Sequence, residues 1–155
     1  MRQKGSLILF TLLCSSILAG RAGDAELHQE LAQARAATAF YHNIDRAIAD
    51  GYVLAGDSVP GEGIHYANFE LIDGNFEIER PESLIYTEGP NGRPRLAGVE
   101  YLVLQEFSPE APDGFSGDKD IWRDNSEGLQ AWELNVWIWL HNPDGIFAAK
   151  NPRIP

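Results

Sequence analysis

The chain has 155 residues, 23 Asp plus Glu against 12 Lys plus Arg, and a formal charge of −11. Such a field repels nucleic acid and anionic lipid surfaces and attracts cations, so a nucleic-acid partner is not expected. One cysteine excludes a disulfide framework and thiolate metal clusters, and the length suits a single domain with one core.

At the N-terminus, Arg2 and Lys4 precede the nearly unbroken apolar run Leu7 to Leu13, followed by Ser15–Ser16 and the small residues Ala19–Gly20 and Ala22–Gly23. This is the pattern of a secretory signal peptide over residues 1–22, cleaved after Ala22. The run is well short of the roughly 20 residues a spanning helix needs, so the protein is expected not to be membrane-embedded. Cys14 lies in this segment behind Leu13 rather than a small residue, which argues against lipid attachment. The mature chain, 23–155, is then cysteine-free and exported, periplasmic or extracellular. Loss of Arg2, Lys4 and Arg21 takes Lys plus Arg from 12 to 9 against 23 acids, a formal charge of −14.

Residues Asp24 to Asp50 are good helix formers without Gly or Pro, and Gly51 supplies a C-terminal stop. At 100° per residue, Leu27, Leu31, Ala34, Tyr41 and Ile48 form one stripe, with Ala37 beside it. Asp45, five whole turns after Leu27, falls in that stripe, where a carboxylate must be paired. His42, Arg46 and Arg35 are its local partners. Asp45 is a structural acid, or, with His42, a residue that orients a functional histidine, or, if the helix is rotated, a solvent-exposed acid.

Beyond Gly51 the composition turns to strands. In Ile64 to Phe69, framed by glycines, His65, Ala67 and Phe69 share a face if the segment is extended. Leu84 to Thr87 and Leu96 to Leu104 flank the turn EGPNGRP, whose Asn91–Gly92 pair tolerates positive φ, so an antiparallel hairpin is expected. Glu100 sits within its second strand, in the apolar run GVEYLVL. Residues 105–130 form a Pro-, Gly- and acid-rich connection that reads as a loop or flap. Its Asp118, Asp120, Asp124 and Glu127 do not follow the calcium-loop spacing, because Trp122 and Arg123 occupy ligand positions.

The last strand is Trp132 to Leu140. Its even positions are apolar and should meet the helix. Its odd positions carry Glu133, Asn135, Trp137 and Trp139, with His141 following in the same parity. The expected architecture is α+β: one long N-terminal helix packed on a small antiparallel sheet of about four strands.

If the odd face coincides with those of Glu100 and His65, then His65, Glu100, Glu133 and His141 supply the nitrogen and oxygen ligands of a divalent metal ion, beside Trp137, Trp139 and Asn135. The expected function is the binding of a metal cation or small ligand there. Two alternatives stay open. One is an acid–base enzyme with Glu100 or Glu133 as base and His141 as acid. The other is a structural or interaction module whose acidic flap docks a partner and whose odd face is covered by the chain's own tail. Glu100 and Glu133 have a structural reading as well, as salt-bridge partners of Arg93, Arg95 or Arg153. No phosphate loop, dinucleotide fingerprint, G-x-S-x-G or H-E-x-x-H occurs.

The segments YHNIDRAIADGY, GIHYAN, ERPESLIY, AGVEYLVL and WELNVWIWLHNPDGIFAAKNP together resemble a group of small exported, uncharacterised bacterial proteins over most of the mature chain. The resemblance implies export but no activity. In that group a histidine is frequent at the position of Asn135, so one potential imidazole ligand is replaced here by an amide.

Overall fold

The computed structural model describes residues 9–155, with side chains from Gly23 onward. The expected leader over 1–22, with Cys14, lies outside the residues whose side chains are described. Helix α1 spans Leu9–Thr38 and buries Leu27, Leu31 and Ala34, three members of the expected stripe. Among the described residues no helix is long and apolar enough to cross a membrane.

The helix does not continue to Asp50. The Thr38 hydroxyl donates to the Ala34 carbonyl at 2.8 Å, a tight turn follows over Ala39–His42, and Asn43 adopts an extended conformation. The Asn43 side chain then accepts the Asp45 N–H at 3.1 Å and caps a second helix, α2 (Ile44–Ala49). This restart breaks the 100° count. Asp45 is exposed in the first turn of α2, where its charge suits the helix dipole. Ile48 is 51% exposed, and Ala47 is the buried residue instead. The role expected for Asp45 inside the stripe therefore does not arise.

Among the described residues six strands, not four, form one antiparallel sheet in the order β1-β2-β3-β4-β6-β5. They are β1 Val53–Leu54, β2 Ile64–Ala67, β3 Ser83–Glu88, β4 Pro94–Leu104, β5 Arg123–Asn125 and β6 Ala131–Val136. The hairpin forms as expected, with Asn91 and Gly92 at φ +61° and +71° between β3 and β4. The short edge strands β1 and β5 were hidden in segments that read as loop. β5 lies within the 105–130 connection, which is otherwise largely exposed and is anchored by Phe115, buried against Phe76, Tyr101 and Phe147.

One sheet face meets the helix. Leu84, Tyr86, Val99, Tyr101, Leu134 and Val136 join Leu27, Leu31 and Ala34 in the main core, each large aliphatic contributing roughly 1.5–3 kcal/mol by leaving water. Buried tyrosines close this layer through backbone carbonyls: Tyr52 to Pro81, Tyr86 to Tyr41 and Tyr101 to Ile78, at 2.6–2.7 Å. Glu82 is also buried. Its carboxyl accepts the Leu102 N–H at 2.9 Å, and burial pushes its pKa up to about 8.

The opposite face carries a second, small cluster of Ile85, Ala97, Trp137 and Ile154 at one end and an open cavity at the other. Trp137 lies over Gly98, where any Cβ would fall 2.8 Å from the Val136 carbonyl. The C-terminal tail covers this end: the Trp137 indole donates to Ala148 and the Asn135 amide to Ala149.

Candidate functional site

Pairing of the strands brings polar side chains from separate segments onto this second face. Ser83 is opposite Glu100, and Glu100 is opposite Asn135, so β3, β4 and β6 contribute one polar row. His65 comes from β2, Glu133 from β6 and Arg123 from β5, directly across from Glu133. They line a cavity of about 710 Å³, within the usual size of small-molecule sites.

Four of these residues form a chain of alternating charge. His65 Nδ1 is 3.0 Å from Glu100 Oε2. Arg123 Nη2 stands between the carboxylates, 4.0 Å from Glu100 Oε1 and 3.5 Å from Glu133 Oε2. The Asn125 amide donates to the other oxygen of Glu133. Burial lowers the His65 pKa, but the hydrogen bond to Glu100 and its charge outweigh that, with smaller help from Glu62, and the net shift is upward. The Glu133 carboxyl is also raised, first by burial and then by the charge of Glu100, against lowering by Asn125 and Arg123.

Two details limit the chemistry. The Ser83 hydroxyl lies 3.5 Å from His65 Nδ1, the same nitrogen that faces Glu100. A serine relay needs hydroxyl and carboxylate on opposite ring nitrogens, so this trio is not one. His65 Nε2 is buried and outside hydrogen-bonding geometry. A second unpaired atom at this cavity is Asn135 Oδ1: Asn135 is 2% exposed, lines the cavity, and leaves an acceptor without a donor.

Of the expected ligands, His65, Glu100 and Glu133 gather here with Asn135, and His141 does not. Pairing ends at Val136, after which the chain leaves the sheet and the Ala97 carbonyl accepts the N–H groups of both Trp139 and Leu140. Strand parity then no longer applies. His141 is exposed, and Trp139 turns to the helix side, where it meets the His42 ring at 4.4 Å and its indole donates to the Thr38 hydroxyl. Trp137 keeps the expected face but is sealed under the tail, so neither indole lines the large cavity. His42 meets Trp139 on the helix side and Asp45 is exposed on α2, so neither bonds to His65, and the pairing of His141 with a carboxylate is not made. Among the described residues no three of His, Cys, Asp or Glu are placed to hold a metal ion together.

Sequence reasoning missed Arg123, Asn125 and Ser83. The signal for the first two was the triplet Arg123–Asn125, whose outer members turn inward as in a short strand. No protein-family model, curated protein or solved structure matches the chain.

Proposed function

We propose that this protein binds a small amphipathic organic cation, an ammonium group on an apolar body, in the cavity over the polar sheet face. The observation that carries the reading is Asn135 Oδ1, a buried acceptor without a donor on the cavity wall, beside a surplus of carboxylates. Asp57, Glu62, Glu100, Asp124 and Glu133 line this space against Arg123 and His65, so its potential favours positive charge. An ammonium group supplies the hydrogen-bond donors that Asn135 lacks.

Apolar residues at the same cavity support the second half of the proposal. Val59, Phe69 and Leu129 are exposed large hydrophobics, and all three line it. Exposed apolar groups gathered around a polar floor are the usual composition of a binding site. Arg123 already stands between the two carboxylates that a divalent metal ion would bridge, so an organic cation is favoured over a metal. The leader-like N-terminus supports an exported location for this activity.

Calorimetric titration with hexylammonium and with the neutral 1-hexanol tests the proposal. Hexylammonium should bind saturably, at least about tenfold more tightly than hexanol, and Glu100→Gln should weaken it by about the same factor. Equal affinity for the two probes, or no saturable heat with hexylammonium, would contradict it.

A further inference from the structure

Trp137, Trp139 and His141, which do not reach the large cavity, line a smaller one of about 340 Å³ beyond the end of β6. Arg35 of α1, His141 and Asn142 supply its polar groups, the Asn142 amide already bonded to the Lys150 carbonyl and the Asp144 N–H, with Trp137, Trp139, Ile138 and Ile146 as walls. No Asp or Glu lines it, in a protein with nearly twice as many acids as bases. Asp144, the nearest acid in sequence to His141, is exposed and outside the lining.

Arg35 is held in position. Its Nε donates to the Ile138 carbonyl at 3.0 Å, and among the described residues it makes no ion pair and no other side-chain hydrogen bond. The two terminal nitrogens therefore keep their donors available as a planar fork. That fork matches the two oxygens of a carboxylate. The indole N–H groups are already used, Trp137 on the Ala148 carbonyl and Trp139 on the Thr38 hydroxyl, which leaves the rings as apolar walls. The His42 ring against Trp139 and the Thr38 bond fix the position of the Trp139 wall. The His141 imidazole makes no side-chain bond among the described residues and is the second free polar group.

The geometry points to a second binding site, for a small aromatic carboxylate, with Arg35 gripping the carboxylate and the ring against Trp139 and Ile146. It is independent of the cation site: it lies elsewhere in the molecule and selects the opposite charge. A volume near the low end for ligand cavities restricts the guest to about the size of a single substituted ring.

The test is ¹H–¹⁵N correlation spectroscopy of the full chain, titrated in parallel with benzoate, benzylamine, benzyl alcohol and inorganic phosphate. Benzoate should give saturable shifts at the Arg35 Nε–H and the Trp139 indole N–H, with benzyl alcohol about tenfold weaker and benzylamine weaker still. Arg35→Gln should remove the benzoate response, and Arg35→Lys, which keeps the charge without the fork, should retain only part of it. If Arg35→Gln disturbs folding, the ranking of the four probes on the unaltered protein decides by itself. Absence of saturable benzoate shifts at these two groups, benzylamine binding as well as benzoate, or phosphate binding as well as benzoate would each overturn the assignment.

Discussion

His65 Nδ1 and Glu100 Oε2 lie 3.0 Å apart, joined across the intervening strand β3 rather than between adjacent strands. The pair opposes two forces, burial that disfavours the imidazolium and the Glu100 carboxylate that favours it, and the second wins. Glu100→Gln removes the winning force and leaves burial in place. The His65 pKa, followed by NMR titration of its ring protons, should fall from above 6.5 in the natural protein to below it in the variant. An unchanged titration would mean that the pair is not coupled.

The same pair has a defined effect on stability. The folded-state pKa of His65 is raised, so its contribution is fully present below about pH 6.5 and is lost as pH rises through the folded value. The natural protein should therefore lose its stability advantage over His65→Gln as pH rises through the folded value, as read by denaturant unfolding at a series of pH values. An advantage that grew with pH would contradict the assignment.

Arg123 bridges two carboxylates that are themselves largely buried. Arg123→Ala leaves Glu100 and Glu133 repelling each other in a poorly solvated cavity. A loss of about 2 kcal/mol is expected, below that of a fully buried pair because Arg123 is partly exposed. The loss should be smaller at pH 5 than at pH 8, since the raised Glu133 carboxyl protonates more readily there. A pH-independent loss would show that Arg123 acts by packing alone.

Glu82 should govern a different part of the pH profile. Its folded pKa of about 8 stands above the ordinary 4.5, so the native form keeps a proton that the unfolded chain releases. Between those values stability falls with rising pH by up to about 1.4 kcal/mol per unit, and the fall ends above about 8. Glu82→Gln lacks this slope while keeping an acceptor for the Leu102 N–H. Its stability relative to the natural protein should therefore rise from pH 5 to pH 8, measured by chemical denaturation.

The α+β class and the face of β6 turned to the helix were legible in the sequence, because burial imposes period-two alternation on a paired strand, whereas the meeting of His65 and Glu100 with Glu133 was a condition that only strand order and register could settle. Leu134 and Val136 face the helix, and Glu133 and Asn135 face away, as that alternation requires. Trp139 and His141 went astray because pairing stops at Val136, and no residue type announced that stop. Asp45 and Ile48 were misplaced for a related reason. An Asn43 cap inside a run of good helix formers looks like one more helical residue until its extended backbone is seen. Arg123 was concealed by its surroundings, since a three-residue edge strand carries too little pattern to stand out from an acidic, glycine-rich connection.

Hexylammonium-induced shifts mapped onto the backbone amides of the full chain test the central claim most directly. The account predicts saturable changes concentrated at His65, Glu100, Arg123, Glu133 and Asn135, and their loss in Glu133→Gln combined with Asn135→Leu. Shifts scattered over the acidic surface, or confined to residues outside this cavity, would contradict it.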